Sequence, residues 1–138
     1  MIALQNVKFQ KMIVPASISS ATATEIECDT KGYDYLTVII QLGDVPANMT
    51  VLKLQETDTS GSGEADFTGS AFTAPTAAGG DSDVLVAFID LRKRKRYISI
   101  VATAGAGTTF LSAIGILSRA EVSPTSATER GIDEQLVL

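Results

Sequence analysis

The residues of this chain whose types and spacing could support chemistry are three carboxylates. Glu25, Glu27 and Asp29 alternate along one predicted strand and therefore share one face of it. Paired carboxylates suggest glycoside hydrolysis or Ca²⁺ binding. The alternative is a polar, outward face that discourages edge-to-edge strand pairing. We favour the second interpretation, so no catalytic, cofactor-binding or metal-ligating residue is predicted.

The rest of the composition narrows the chemistry further. The sequence contains no His and a single Cys, Cys28. Without His, the Ser-His and Cys-His nucleophile systems and the usual zinc sites are excluded. One Cys cannot form an internal disulfide, and we predict that Cys28 is a small, buried apolar residue. We therefore expect a protein that is not an enzyme and that needs no cofactor.

A run of five cations is the most unusual feature. It holds five of the 11 basic residues, and without it six basic residues would face 16 acidic ones, a charge of −10. Three interpretations remain open: a nucleic-acid contact, a solvated hairpin between the flanking strands, or docking onto an acidic protein surface, including another copy of this acidic chain. The net charge of −5 argues against nucleic acid. We predict the acidic protein surface, with these contact residues: Arg92, Lys93, Arg94, Lys95 and Arg96.

The elements that position these residues are predicted to be strands. Apolar residues recur with period two, or in short runs bounded by Gly, Pro, Ser and Asp, over 138 residues. The pattern predicts an all-β fold, an antiparallel β-sandwich or jelly roll of seven or eight strands. The predicted strands cover residues 8–14, 21–29, 35–42, 49–56, 84–91, 97–104 and 108–117, with one short strand near Phe67 inside a long polar segment, 57–83.

The predicted core follows from the alternation, and the strand at 84–91 is expected to be buried on both faces. Ile39, Val51 and Leu117 fall on faces otherwise assigned to solvent, which suggests an interface between subunits. The core is predicted to contain Ile26, Leu36, Val38, Ile40, Leu52, Leu54, Val86, Phe88, Ile98, Ile100 and Ile114.

The predicted domain organisation is a single β-sandwich domain, 1–117, followed by an extended C-terminal arm, 118–138. The arm is polar but ends in apolar residues, so we predict that it packs across a neighbouring protein through Ile132, Leu136, Val137 and Leu138. No stretch reaches the roughly 18 apolar residues that span a bilayer, and no secretory signal is recognisable. We expect no membrane partner and assembly in a reducing cytoplasm.

Four stretches together carry a resemblance to a known group of proteins. They are 32–38 (GYDYLTV), 52–58 (LKLQETD), 96–100 (RYISI) and 117–124 (LSRAEVSP). The chain resembles small virion proteins of tailed bacteriophages and is similar to capsid decoration, or cement, proteins with a jelly-roll fold. The resemblance implies a structural role on the capsid, homotrimers, the major capsid protein as partner, and no active site.

These observations predict a non-enzymatic virion protein that decorates and stabilises a bacteriophage capsid by binding the shell surface. It would be assembled in the cytoplasm of the host bacterium. The alternative is a tail, fibre or connector component. A carbohydrate-binding module ranks lower, because such modules use exposed aromatic residues and this chain has 6% aromatics and no Trp.

Overall fold

The computed structural model describes residues 4–136, and its regular structure is almost entirely β. One 3₁₀ helix, Leu91–Lys93, is the only helical element of these residues, and none of them forms a helix long and apolar enough to cross a membrane. The strands are β1 (Lys8–Ile18), β2 (Cys28–Asp29), β3 (Tyr33–Leu42), β4 (Val51–Thr57), β5 (Ala65–Ala71), β6 (Val84–Asp90), β7 (Tyr97–Thr103) and β8 (Thr109–Ala120).

The strands form two antiparallel sheets of four strands each. Sheet A has the order β1-β8-β3-β6, and sheet B has the order β2-β7-β4-β5. Successive strands alternate between the sheets except where β4 and β5 pair directly. This strand order is that of an eight-stranded jelly roll, in which two Greek keys fold over each other. The prediction of an all-β sandwich is therefore confirmed.

The core lies between the two sheets and is built by strict alternation on the central strands. Leu36, Val38 and Ile40 point inward from β3, and Ile98 and Ile100 point inward from β7. Each of the five is at most 1% exposed. Their intervening neighbours point to the opposite face of each sheet, because successive side chains of a strand alternate; one of them, Ser99, is also buried there. Together with Leu52 and Leu54 of β4, these predicted core residues are confirmed.

Four predicted core residues instead face outward: Ile26, Val86, Phe88 and Ile114. Pairing with β3 decides the orientation of β6, because Ile89 lies opposite Leu36 and so shares its inward face. Phe88 is consequently 84% exposed, and β6 is not buried on both faces. On β8 the same parity buries Leu117 completely, which corrects its prediction as a surface residue.

The ends of several elements differ from the predictions. The predicted strand at 21–29 is reduced to the two residues of β2. β8 runs to Ala120, three residues beyond the predicted domain boundary. After it, residues 121–136 form turns and bends and fold back towards the start of β1, where Arg130 and Phe9 share a backbone hydrogen bond. The short strand expected near Phe67 is present as β5.

Candidate interaction surface

The basic run, residues 92–96, connects the two sheets. It leaves β6 in sheet A and enters β7 in sheet B, so it is not the hairpin that one interpretation required. Asp90 begins the 3₁₀ turn at its start, since its Oδ1 accepts a hydrogen bond from Arg92 N at 3.1 Å. This capping carboxylate satisfies a free backbone N–H at the start of the turn. The run is therefore a structured crossing at one end of the sandwich.

Every second residue of the run is paired with a carboxylate of the same chain. Arg92 donates from Nε and Nη2 to both oxygens of Asp90, at 2.8 and 2.6 Å. Arg96 makes the same two-bond contact with Asp29, at 2.8 and 2.7 Å. Arg94 Nη1 lies 3.7 Å from an oxygen of Glu56. Two of the three carboxylates come from distant parts of the chain, so these pairs join β2 and β4 to the crossing.

The same three arginines also lie over aromatic rings. The guanidinium carbon is 5.4 Å from the ring centroid of Tyr35 for Arg92, and 4.7 Å from that of Phe67 for Arg94. Arg96 lies 4.8 Å from the ring centroid of Tyr97. Planar guanidinium groups stack on aromatic faces in this way and also pair with carboxylates in a forked geometry. Both contacts hold the arginine side chains against their own chain.

The arginines lower the pKa values of two of these carboxylates. The hydrogen bond from the Arg92 side chain lowers the pKa of Asp90 to about 2. The hydrogen bond from Arg96 likewise lowers the pKa of Asp29 below its ordinary value. Both acids are therefore charged at neutral pH and neutralise their arginines. Binding of an acidic partner by the run, residues 92–96, stays a prediction.

Lys93 and Lys95 are the two residues of the basic run that are not arginines. Neither forms an ion pair with any residue in the part of the chain that the structure describes. Both are solvent-exposed, whereas Arg94 between them is half-buried. Of five formal positive charges in the run, two are free to attract a partner.

The C-terminal segment, 121–136, is tied to its own domain through Arg130. The guanidinium donates to four oxygens: the carbonyls of Gln5, Pro124 and Thr125 and the side-chain oxygen of Gln135. The Arg130 carbonyl accepts from Phe9 N at 2.7 Å. These bonds place the segment beside the first residues of β1. It is therefore folded on its own chain rather than extended.

The apolar residues predicted to anchor this segment on a neighbour have different surroundings. Ile132 is half-buried and lines a cleft of about 170 Å³ together with Phe9. Leu136 lines the same cleft but is 80% exposed. Val137 and Leu138 lie outside the described residues. Binding of a neighbour through these four residues stays a prediction.

The three carboxylates at 25–29 do not form one site. Glu27 accepts from Ser60 Oγ at 2.6 Å and from Gly61 N, which holds the loop 59–63 against sheet B. Glu25 is half-buried, and burial raises its pKa, with Glu27 adding to the shift. No cluster of three potential metal ligands exists among residues 4–136. Glu27 and Asp29 are thus each held by a separate structural contact, whereas Oε2 of Glu25 is buried without a hydrogen-bond partner among the described residues.

Cys28 is fully buried on β2, as predicted. Burial raises the pKa of its thiol to about 12. A thiol in such surroundings stays protonated at neutral pH and is a poor nucleophile, because the thiolate is the reactive species.

The outer face of sheet A is the main apolar surface of the molecule. Two rows of side chains cross it at right angles to the strands. One row contains Phe88, Thr37, Ile116 and Phe9, and the other contains Val86, Ile39, Ile114 and Lys11. The second row lies beside a groove of about 440 Å³ that is lined by Ile39 and Ile114 and closed by the bulged part of β1.

The sequence did not reveal this face, because β6 is apolar at six of its seven positions and β8 carries apolar residues on both of its faces. Alternation then cannot distinguish the inward set from the outward one. Of the apolar residues in the two rows, only Ile39 is assigned to a solvent face by the sequence pattern. The available signal was the surplus of apolar residues on β6, which exceeds what one buried face can accommodate.

The chain was also compared with models of protein families, with curated proteins and with solved structures, and none of them matches it.

Proposed function

We propose that this chain is a non-enzymatic structural protein of a bacteriophage virion that binds the surface of the capsid shell. The observation that carries the proposal is the outer face of sheet A, where Val86, Phe88 and Ile114 are exposed beside other, half-buried apolar residues. Apolar surface of this kind is stabilised when a partner covers it. The resemblance of the sequence to capsid decoration proteins, and the jelly-roll topology, support the choice of partner.

The chemistry of the described residues is consistent with this role. Arg92 and Arg96 pair with carboxylates of the same chain, Glu27 accepts a hydrogen bond from Ser60, and the Cys28 thiol is buried. Recognition would then rest on shape and apolar area, with Lys93 and Lys95 adding attraction to an acidic surface. Shell binding should therefore depend only weakly on salt, since salt screens exposed charges over about 10 Å at about 0.1 M but leaves apolar burial largely unaffected.

The test is a co-sedimentation experiment with shells that lack this protein. Ile114→Lys places a charge at the centre of the outer face and should weaken binding at least tenfold, because the lysine must be desolvated. Val122→Lys is the matched control: it changes an exposed valine outside the sheets and should bind like the wild type. Absence of wild-type binding, or equal binding by Ile114→Lys, would refute the proposal.

Two further variants separate the contributions of the lysines and the C-terminal segment. Replacing Lys93 and Lys95 by Gln should reduce the salt dependence of binding if the lysines meet an acidic surface. A chain ended after Glu121 removes the C-terminal segment but leaves β8 complete, whereas a chain ended at Ser118 would shorten that strand. The copy number per virion, measured by mass spectrometry, distinguishes a decoration protein with many copies from a tail or connector component with few.

A further inference from the structure

The four edge strands of the sandwich differ in how they avoid pairing with other chains. β1 carries two register shifts, Lys8, Lys11 and Pro15. β2 has only two residues, and β5 has a register shift and Gly69 at φ +80°. Short strands, bulges, prolines and charges are the usual means by which proteins protect an exposed sheet edge. Three of the four edges are protected in this way.

β6 is the exception. Its register with β3 is unbroken over seven residue pairs, from Asp90 opposite Tyr35 to Val84 opposite Gln41. It contains no Pro, Gly, Lys or Arg, and Asp90 is its only charged residue. An apolar, regular edge of this kind pairs readily with another strand. Of the four edges, β6 is therefore the one best suited to pair with a further strand.

The backbone groups available at this edge follow from the ladder. Leu42 N donates to Asp83 O at 2.9 Å, which extends the β3–β6 register by one residue. In an antiparallel ladder only alternate pairs are hydrogen-bonded, so Leu85, Ala87 and Ile89 bond to β3. The even-numbered residues turn their N–H and C=O groups to the free edge. No other residue of the described chain hydrogen-bonds to the backbone of Val84, Val86 or Phe88.

We propose that the free edge of β6 pairs with β6 of a second copy of this chain, antiparallel, about a two-fold axis at Ala87. In that register Val86 of one copy lies opposite Phe88 of the other, and both belong to the set with free backbone groups. Ala87 meets Ala87 of the second copy, so the smallest side chain of the strand lies on the axis. The pairing joins the two A sheets into one sheet of eight strands. The inference does not rest on the proposed virion role.

The charges at the two ends of β6 favour a second copy as the occupant. Asp81 and Asp83 precede the strand. At its other end Asp90 and Arg92 neutralise each other, which leaves Lys93 as the net positive charge. An antiparallel pair about Ala87 brings the acidic end of each copy beside the basic end of the other. Lys93, which has no ion pair within residues 4–136, would gain one in this arrangement. Two chains of net charge −5 repel elsewhere, so this complementarity sets the register.

The structure also leaves room for an added strand. A groove of about 370 Å³ lies along β6 and is bounded on the other side by β5, with Phe67, Phe72 and Arg94 among its lining residues.

The test is sedimentation equilibrium of the whole chain over about 1 µM to 1 mM. A seven-residue edge buries less than the about 800 Å² per partner of a standard interface, so we expect a micromolar dimer. Val86→Pro removes an N–H that points to the free edge and leaves the bonds to β3 intact. Because the two-fold symmetry removes one hydrogen bond from each copy, the dissociation constant of the dimer should rise at least about thirtyfold. Val122→Pro is the control and should leave the dimer unchanged.

A charge swap tests the register and does not depend on how Val86→Pro folds. Lys93→Glu and Asp83→Lys should each weaken the dimer several-fold, and the double variant should restore it. Ala87→Cys should form a disulfide between copies under mild oxidation, since non-hydrogen-bonded antiparallel pairs bring Cα atoms to about 4.5 Å. A wild-type monomer at 1 mM, a trimer that survives Val86→Pro, or a failed charge rescue would each overturn the proposal.

Discussion

The orientation of β6 can be tested by truncating two neighbouring residues, Phe88→Ala and Ile89→Ala. Phe88 is 84% exposed on the outer face of sheet A, whereas Ile89 is 9% exposed and packs in the core opposite Leu36. Sequence alternation alone predicts the opposite arrangement, with Phe88 inward. The two substitutions therefore give different stability changes for the two orientations of one strand.

The magnitudes follow from burial. Phe88→Ala removes a ring that is already mostly in water, so the free energy of unfolding should change by less than about 0.5 kcal/mol. Ile89→Ala removes buried methyl groups and leaves a cavity, which costs about 2–4 kcal/mol in protein cores. The lower half of that range is expected, because β6 is an edge strand and can partly collapse into the cavity. A buried Phe88 would instead lose about 3–5 kcal/mol on truncation.

Urea unfolding monitored by circular dichroism measures both changes. The measurement belongs at low micromolar concentration and in the Val86→Pro background, so that loss of dimer contacts does not add to the result. An equal slope of free energy against urea in all variants shows that the same surface is exposed on unfolding. If Phe88→Ala proves more destabilising than Ile89→Ala, the assigned register of β6 on β3 is wrong.

Three further predictions concern single contacts. The hydrogen bond from Arg96 lowers the pKa of Asp29. The contribution of this pair to the stability of the folded chain is therefore present above pH 4 and is lost as the pH falls through the lowered pKa. Asp29→Asn should flatten the decline of the urea midpoint between pH 4 and 2. Cys28 should react with a thiol reagent at pH 8 at least a hundredfold more slowly in the folded than in the urea-unfolded chain, and equal rates would contradict its burial. Gly131→Ala should loosen the C-terminal segment in hydrogen exchange, because a Cβ there meets backbone of β1, whereas Gly32→Ala, also at positive φ but in open space, should not.

Alternation on the two central strands was sufficient to predict much of the fold. On β3 and β7 the inward residues are large and aliphatic, and most of the outward ones are polar. One face alone then satisfies the hydrophobic effect, and the orientation of each strand is decided before any partner is placed. Spacing between strands and the absence of a helical period likewise predicted an all-β sandwich.

The orientation of β6 and β8 needed the tertiary structure. Both strands are apolar on both faces, so pairing with β3 decides which face meets the core and leaves Phe88 and Ile114 outside. The pairing itself reflects contacts between residues about 50 and 80 positions apart, which no local pattern contains.

The basic run shows the same division. Sequence alone determined that five cations are adjacent and that the rest of the chain is acidic. Only the folded chain brings Asp29 and Glu56 to Arg96 and Arg94, because β2 and β4 lie on either side of β7 in sheet B. Local composition determines how many charged and apolar residues a chain carries. Long-range strand pairing determines which charges are neutralised, which apolar residues are buried, and which of both are left for a partner.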